Sequence, residues 1–389
     1  MFSIIKKWCF ILVIVIWTAC SFDNPDSMTS LVDATATTET ETLYHYLEDI
    51  KGKNALFGHQ ATLAYGYSWR SDSSRSDVKD VTGSFPALYG WDLADFIPQP
   101  NYTKYENEDR WNRILGYSKD GLERGGVLTF SWHMRNPVTQ ESFYDTTSAV
   151  HTIIPGGELH QEYMETLDLV ADFMEKLSPY PVIIRPFHEH NGDWFWWGKG
   201  HSSEQDYIAL WRFTVEYLRD QKEVNNLIYA FSPDRSRTNI ETFKKDYFYG
   251  YPGDEYVDII GLDNYWDVGH PVNTKSKEEQ ASNFAKSLTM TAQIADSLGK
   301  IAAITETGLE RIPDPTFWTE TLLKAMTLNE WTKQFTYVQV WRNATQQEGR
   351  PDHYYAPFPG QISAEDFIKF KETEFILFED ELPDIYIHH

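Results

Sequence analysis

Residues 182–198 have the sequence VIIRPFHEHNGDWFWWG, in which a short β-branched run is followed by charged, imidazole and aromatic side chains. The apolar part has the length and composition of a buried strand. Turns recruit Gly, Pro, Asn, Asp and Ser, so turn formation alone does not explain His, Glu and Trp directly after a strand. The segment therefore predicts a buried strand whose carboxyl end carries functional side chains.

Seven further runs share this pattern of an apolar strand with a polar or aromatic end. The eight predicted strands are 55–60, 85–92, 127–133, 182–188, 227–233, 257–264, 301–306 and 335–341. Apolar residues at helical spacing predict outer helices over 161–177, 205–221, 279–298 and 317–328. This alternation predicts an α/β fold, a (β/α)8 TIM barrel that forms a single catalytic domain.

An open, doubly wound sheet would show the same alternation of strands and helices. That fold most often carries a nucleotide site, yet neither GxGxxG nor GxxxxGK[ST] follows any of the runs. Polar clusters at the carboxyl ends of strands fit the catalytic face of a closed barrel. The closed barrel is therefore the favoured architecture, and the open sheet is the alternative.

The first residues of the chain predict export from the cytoplasm. Lys6 and Lys7 precede an apolar run over 8–17 that is short for a membrane span, which indicates a signal peptide over 1–19. Cys20 directly follows Thr18-Ala19, as in bacterial lipoproteins, so we expect it to carry a lipid. Ordinary signal cleavage and an uncleaved anchor are the alternatives.

Two segments follow the predicted lipidation site. Residues 20–42 are rich in Thr, Asp, Ser and Glu and poor in large apolar groups, which predicts a flexible tether. Residues 43–389 contain no Pro/Gly/Ser-rich break and predict the catalytic domain. Together these features predict a lipid-anchored protein in the periplasm or at the outer membrane of a Gram-negative bacterium.

Charge and aromatic content restrict the class of ligand. The net charge of −24 argues against nucleic acid and against anionic glycans, because both would be repelled. The chain contains 14 Trp and 23 Tyr, many of them in predicted loops, where a sugar-binding cleft needs them. These features favour a neutral polysaccharide or oligosaccharide as the partner.

Glu189 and Glu306 end the fourth and seventh predicted strands, which lie across the mouth of a closed barrel from one another. Glycoside hydrolysis with retention needs two carboxyl groups on opposite sides of the bond, one protonated and one ionised. We expect the aromatic rings after Glu189 to desolvate it, and the hydroxyls of Thr305 and Thr307 to hold Glu306. Buried structural carboxylates paired with Arg are the alternative.

Two motifs resemble glycoside hydrolase family 26, the β-mannanases and their relatives. Residues 185–198 resemble the acid/base motif of that family, and ITETG at 304–308 is similar to its nucleophile strand. The resemblance runs from about Leu43 to the last strand and helix. It implies that Glu189 is the acid/base and that Glu306 is the nucleophile.

The resemblance also implies roles for residues around the pair. His133 and His188 are implied to line the −1 subsite, with Trp194 as a stacking wall. The remaining implied residues are Asp263 and Tyr265, whose hydroxyl bonds the nucleophile, Trp341 as the aromatic floor, and Arg342 as the basic residue that follows it.

Each of these residues also has a structural interpretation. His133 could be a satisfied core histidine, Trp341 could be ordinary packing, and Asp263 could cap the following segment. A metal held by His188 and His190 would need further ligands, for which His59 and His133 are candidates. We expect no catalytic metal and no cofactor.

The carboxylate pair together with this resemblance implies a retaining endo-β-1,4-mannanase, in a polysaccharide-degrading bacterium, that cleaves mannan or galactomannan by double displacement. A β-1,3-xylanase or a mixed-linkage β-glucanase of the same family would share every catalytic residue. From other classes, a metal-dependent barrel hydrolase and a non-catalytic surface glycan-binding lipoprotein are the alternatives. The last would not need both Glu189 and Glu306.

Overall fold

The computed structural model describes residues 31–344 and 349–386 and contains eight parallel strands closed into a barrel. The strands are β1 Ala55–Gln60, β2 Leu88–Asp92, β3 Val127–Ser131, β4 Val182–Arg185, β5 Leu227–Phe231, β6 Ile259–Asn264, β7 Ile301–Thr307 and β8 Phe335–Val340. Each strand pairs with the next along the chain, and β1 pairs with both β2 and β8, which closes the ring. The predicted TIM barrel is confirmed, and the open sheet is wrong.

Helices surround this barrel, and a ninth short strand, β9 Ile376–Leu377, lies beside the start of β1. The α-helices are α1 Thr38–Ile50, α2 Asp77–Thr82, α3 Lys104–Glu123, α4 Val150–Ile153, α5 His160–Glu175, α6 Glu204–Glu216, α7 Phe243–Tyr247, α8 Lys277–Ser297, α9 Lys324–Met326 and α10 Ala364–Lys371. Tyr217–Gln221 and Phe317–Leu323 are π-helical. Within the described ranges, no helix combines the length and apolar character that crossing a membrane requires.

The fourth strand is shorter than the predicted 182–188. It ends at Arg185 because Pro186 has no N–H for the ladder and Phe187 takes a left-handed conformation with φ 51°. Glu189 has φ 53°, so the chain after β4 alternates between ordinary and left-handed residues. Such backbone is costly for side chains other than glycine and is found most often at functional sites.

The amino end of the barrel is closed by α1. Leu43, Tyr44, Leu47 and Ile50 are buried on one face of this helix. They form one apolar cluster with strand residues that include Leu56, Ile183, Ile228, Ile259 and Tyr337. The barrel is therefore filled and closed at this end, which leaves the carboxyl end as the open face.

The predicted tether over 20–42 is too long at its carboxyl end. Helix α1 begins at Thr38, and the hydroxyl of its N-cap residue, Thr37, accepts from the Thr40 N–H. Upstream of the helix, Val32 N–H donates to Asp258 Oδ1 at 2.7 Å. A first helical turn is normally polar and acidic, so its composition resembles that of a linker. The signal peptide over 1–19, Cys20 and the rest of the tether up to residue 30 lie outside the described residues.

Two glutamine side chains cross the barrel interior below the open face. Gln339 Nε2 on β8 donates to Gln60 Oε1 on β1 at 2.6 Å, and both residues are buried. A Cβ at Gly90 would lie 2.2 Å from both of these side-chain atoms. Glycine at this position of β2 therefore leaves the space in which the two amides meet.

Candidate active site

The open face of the barrel contains a cleft of about 740 Å³ built from the loops that follow the strands. Seven of the nine predicted catalytic and substrate-binding residues line it: His133, His188, Glu189, Trp194, Tyr265, Glu306 and Trp341. Asp263 is fully buried and contacts the Arg185 guanidinium, and Arg342 lies beside Tyr65. The structure thus brings the two predicted carboxylates into one cleft.

Glu306, near the end of β7, is 4% exposed and receives a hydrogen bond on each carboxylate oxygen. The Tyr265 hydroxyl donates to Oε2 at 2.8 Å, and Arg185 Nη2 donates to Oε1 at 2.5 Å. Burial is the main reason that the pKa of Tyr265 lies well above its ordinary value, so this hydroxyl stays protonated and donates. Both donors stabilise negative charge on Glu306.

The expectation that Thr305 and Thr307 hold Glu306 is wrong. The Thr305 hydroxyl donates to Asp263 Oδ1 at 2.6 Å, and the Thr307 hydroxyl donates to the Asn264 carbonyl at 2.7 Å. Neighbouring side chains on a strand point to opposite faces, which directs both threonines away from Glu306.

Arg185 supplies the positive charge of the site, a role that was not predicted from the sequence. Its guanidinium is 1% exposed and lies between Glu306 and Asp263, with Nη1 3.4 Å from Asp263 Oδ2. Burial opposes this charge, but the two carboxylates raise the pKa of Arg185 above its ordinary value. The proposed alternative of a carboxylate paired with Arg thus describes a contact that Glu306 does make. The available sequence indication was an arginine as the last residue of an apolar strand.

Glu189 has surroundings of the opposite kind. Its side chain accepts one hydrogen bond, from Trp194 Nε1 to Oε2 at 2.8 Å. Burial, followed by the nearby carboxylates of Asp234, Asp263 and Glu306, raises the pKa of Glu189 well above its ordinary value. The Trp194 hydrogen bond opposes this rise but is the smaller effect. Glu189 is therefore suited to carry a proton at neutral pH.

Four aromatic residues follow Glu189, and only part of this group faces the cleft. Trp194 and Phe195 line it. Trp196 and Trp197 are fully buried and donate instead to the backbone carbonyls of Met134 and His188 at 2.8 and 2.9 Å. The expectation that all four rings shield Glu189 directly is therefore only partly met, because Trp196 and Trp197 hydrogen-bond the backbone instead of lining the cleft.

The pKa values of the two cleft histidines are displaced in opposite directions. Burial opposes protonation of His133, but its contact with Asp92 raises the pKa of the imidazole above the ordinary value. The His188 ring lies 4.7 Å from the His133 ring, edge to face. Burial and the neighbouring His133 and Arg185 charges hold the pKa of His188 well below its ordinary value. The surroundings therefore favour the neutral form of His188, whereas Asp92 favours the protonated form of His133.

The histidines proposed as an alternative metal site do not converge. His190 Nε2 lies 2.6 Å from the Tyr249 carbonyl, and its ring stacks on Tyr207. His59 Nδ1 lies 2.9 Å from the Thr62 hydroxyl. In the parts of the chain that the structure covers, one group has metal-ligand spacing, formed by His188, Asp263 and Glu306. The Arg185 guanidinium already contacts both carboxylates of this group, which makes it a poor cation site.

Trp341 and Arg342 follow β8 at the side of the cleft nearest β1. The Trp341 ring lies 5.6 Å from the His133 ring and lines the cleft. Arg342 Nη1 donates to the Tyr65 hydroxyl at 3.1 Å. Of the other loop aromatics, Tyr144 lines the cleft, whereas Tyr67 stacks on Phe358 and Trp69 is buried.

The cleft thus combines a carboxyl group suited to holding a proton with a carboxylate held by a guanidinium and a phenol. Such a division between an acid and a nucleophile is what glycoside hydrolysis with retention requires. Aromatic rings on both sides of the pair offer flat apolar faces, against which the C–H faces of sugar rings pack.

Comparison with known proteins agrees with this chemistry. Residues 32–339 match the model of glycosyl hydrolase family 26. A mannan endo-1,4-β-mannosidase from Bifidobacterium adolescentis is 34% identical over 296 residues, which are 74% of this chain and 28% of that protein. The chain therefore spans less than a third of this relative's length.

Solved structures give the same result. A GH26 β-mannanase from Bacteroides ovatus has a TM-score of 0.77 and 37% identity, over 90% of this chain and 98% of that one. A modular endo-β-1,4-mannanase from Cellulomonas fimi has a TM-score of 0.82 and 34% identity, over 92% of this chain and 79% of that one. The family match covers most of the barrel and both carboxylates of the cleft, and this chain therefore belongs to glycosyl hydrolase family 26.

Proposed function

We propose that this protein is a retaining endo-β-1,4-mannanase that cleaves internal bonds of mannan and galactomannan. The observation that carries this proposal is the pair of carboxyl groups with opposed environments in one cleft. Glu189 is buried with a raised pKa, and Glu306 is held by Arg185 and Tyr265. This pair suits double displacement, in which one group donates a proton while the other attacks.

In the first step, a Glu306 oxygen attacks the anomeric carbon and forms a glycosyl ester. Glu189 gives its proton to the glycosidic oxygen, so the bond from carbon to oxygen breaks and the leaving chain departs as a neutral alcohol. Arg185 and Tyr265 each bond one Glu306 oxygen and hold the plane of the carboxylate fixed for attack. Trp194 does the same for Glu189.

In the second step, Glu189 acts as the base. It accepts a proton from water, the resulting hydroxide attacks the anomeric carbon, and the ester bond to Glu306 breaks. The carboxylate of Glu306 and the proton of Glu189 are thereby restored. The product keeps the β configuration, because two inversions at one carbon amount to retention.

The choice of mannan among neutral β-linked glycans rests on the relatives. The Bifidobacterium protein and both solved structures described above carry mannanase names. A β-1,3-xylanase or a mixed-linkage β-glucanase would use the same carboxylates. Assays of the purified protein on mannan, galactomannan, lichenan and β-1,3-xylan separate these activities, and we expect turnover on the first two. Activity on the last two alone would contradict the proposal.

Substitution of the two glutamates tests their roles. We expect Glu306→Ala to abolish turnover of all substrates, since no nucleophile remains. Glu189→Ala should retain activity on aryl mannosides with good leaving groups while losing activity on mannan, because an activated leaving group needs no proton. Equal losses on both substrates would show that Glu189 is not the acid.

The rival classes give different outcomes in the same experiments. A non-catalytic glycan-binding lipoprotein would bind mannan without releasing sugars, and its behaviour would not depend on Glu306. A metal-dependent hydrolase would lose activity after exhaustive chelation. We expect full activity after chelation, because Arg185 provides the positive charge at the carboxylates.

We also propose that Cys20 carries a lipid that holds the enzyme in the periplasm or at the outer membrane. The support is the short apolar run after Lys6 and Lys7, and the position of Cys20 after Thr18-Ala19. Val32 lies at the amino end of the barrel, where it bonds Asp258 just before β6. A tether that enters there would leave the catalytic cleft facing away from the membrane.

Metabolic labelling with a palmitate analogue in a Gram-negative host tests the anchor. We expect the wild-type protein to take up the label and to fractionate with membranes, and Cys20→Ala to do neither. An unlabelled wild-type protein would contradict lipidation, whatever its activity on mannan.

A further inference from the structure

A second cavity opens on the same face of the barrel beside the catalytic cleft. This side pocket has a volume of about 160 Å³, and its walls include Tyr65, Arg70, Asp95, Arg110, Arg113 and Tyr117. It lies between the loop after β1, the turn after β2 and helix α3. None of these side chains takes part in the proposed mechanism.

Two relations between residues place the side pocket near the catalytic cleft. Tyr65 accepts a hydrogen bond from Arg342, which directly follows the cleft residue Trp341. Asp95 lies three positions after Asp92, the partner of His133. The pocket therefore lies near the part of the cleft that contains Trp341 and His133.

The pocket offers both hydrogen-bond acceptors and donors. Asp95 is exposed, and its carboxylate makes no hydrogen bond or ion pair with any residue of the described ranges. Arg110 is held rigidly by the carbonyls of Ala94 at 2.6 Å and Ile97 at 3.2 Å. Arg113 is paired with Asp109 at 3.0 Å. The pocket thus combines guanidinium donors with one carboxyl acceptor, and hydroxyl groups, which both donate and accept, need both kinds of partner.

The size of the pocket limits what it can hold. Pockets that enclose drug-sized ligands have volumes of about 300–1,000 Å³. At about 160 Å³, this cavity has room for one sugar ring but not for a length of chain. A chain in the neighbouring cleft can reach it only through a side group.

We propose that the side pocket binds a single neutral sugar unit carried as a branch on the polysaccharide chain in the cleft. Asp95 accepts hydrogen bonds from the hydroxyls of the branch, and Arg110 orients it. This inference rests on the proposed function, because it needs a chain bound at Glu189 and Glu306. It assigns a preference for branched substrate that the catalytic residues do not explain.

Two mannooligosaccharides of equal backbone length test the pocket, one unbranched and one with a single 6-linked galactosyl branch. The quantity measured is the ratio of kcat/KM on branched to unbranched substrate. Loss of hydrogen bonds to the carboxyl group should lower this ratio about tenfold in Asp95→Ala. Asp95→Asn should lower it less, because the amide keeps one acceptor. Asp172→Ala, an exposed aspartate on α5 outside both cavities, is the matched control and should leave the ratio unchanged.

Binding to the Glu306→Ala protein separates the pocket from the chemistry. Titration calorimetry should show tighter binding of the branched oligosaccharide, and the difference should disappear when Asp95→Ala is added. If the wild-type protein does not cleave the unbranched substrate, the proposed function fails. If cleavage is normal but Asp95→Ala leaves the ratio unchanged or raises it, the pocket does not bind the branch.

Discussion

Glu189 and Glu306 occupy one cleft, but different partners determine their behaviour. Glu306 is bonded by a guanidinium and a phenol, whereas Glu189 receives one indole N–H and lies near other carboxylates. Glu189 should therefore stay protonated at pH values well above those at which an ordinary carboxyl group ionises. Activity should fall as the pH rises through the pKa of Glu189, because the general acid is then ionised.

Asp234 tests how far a neighbouring negative charge raises the pKa of Glu189. This pKa sets the alkaline limb of the pH profile of activity. Burial raises the pKa of Asp234 to about 6, so it is ionised at pH 7 and disfavours ionisation of Glu189. Asp234→Asn removes the charge, while its amide oxygen can still accept from Ser236 N. The pKa of Glu189 should fall, and the alkaline limb of kcat/KM against pH should move to lower pH. An unmoved limb would show that Asp234 does not influence the acid.

Trp194 should affect the pKa of Glu189 in the direction opposite to Asp234. Its Nε1–H donates to Glu189 and lowers the pKa of that group. Trp194→Phe keeps an aromatic ring against the sugar but removes the donor. We expect the alkaline limb to move to higher pH, measured on the same substrate as for Asp234→Asn. Opposite displacements in the two variants would identify Glu189 as the titrating group, and displacements of the same sign would refute that assignment.

Prediction of the site from sequence succeeded where position along a strand decides the outcome. Glu189, Glu306, His133 and Trp341 all follow or end apolar runs, and the carboxyl ends of barrel strands form the catalytic face. The hydrogen-bond partners of these side chains could not be predicted in the same way. The contact between Arg185 and Glu306 joins residues 121 positions apart, and it depends on how the barrel closes.

Among the elements, the strands were predicted more accurately than the helices. Each predicted strand overlaps an observed one, because strands buried on both faces form continuous apolar runs. The helices over 161–177, 205–221 and 279–298 are confirmed by α5, by α6 with its π-helical end, and by α8. The segment 317–328 forms a π-helical turn followed by the short α9.

Helix α3 was not predicted, although it is 20 residues long. Most of its residues are polar, and buried side chains occur only in its second half, which weakens the helical pattern. Its amino end carried a usable indication, since Thr103 and Glu106 form a capping box. The helix is therefore specified by its cap and by its packing on β2 and β3 rather than by a long apolar face.

Two glycines of α3 should respond oppositely to the same substitution. A Cβ at Gly116 would meet nothing within 4 Å, so Gly116→Ala should raise the free energy of unfolding by about 0.5–1 kcal/mol. A Cβ at Gly121 would lie 3.0 Å from the buried Tyr89 ring, so Gly121→Ala should lower it by about 1–3 kcal/mol. Urea unfolding of both variants measures the two changes, and a stabilising Gly121→Ala would show that the contact can relax.

At the scale of the whole molecule, the two ends of the barrel have different roles. The carboxyl end holds the cleft, and the amino end is closed by α1 and by the segment before it. Asp258, just before β6, joins these parts. Its Oδ1 accepts from Val32 N at 2.7 Å, and its Oδ2 accepts from Tyr229 N at 2.8 Å. One buried carboxylate thus connects the segment before α1 to the barrel wall.

Asp258→Asn should weaken this closure without affecting the cleft. The amide nitrogen cannot accept a hydrogen bond, so one backbone N–H loses its partner, and the free energy of unfolding should fall by about 1–3 kcal/mol. Asp254→Asn is the matched control, because Asp254 is exposed and its side chain accepts only from the Tyr251 hydroxyl among the described hydrogen bonds. Urea unfolding should separate the two variants, while kcat on mannan at 25 °C stays at the wild-type value in both. A stability loss in Asp254→Asn equal to that in Asp258→Asn would show that general charge removal, and not the link to Val32, stabilises this end.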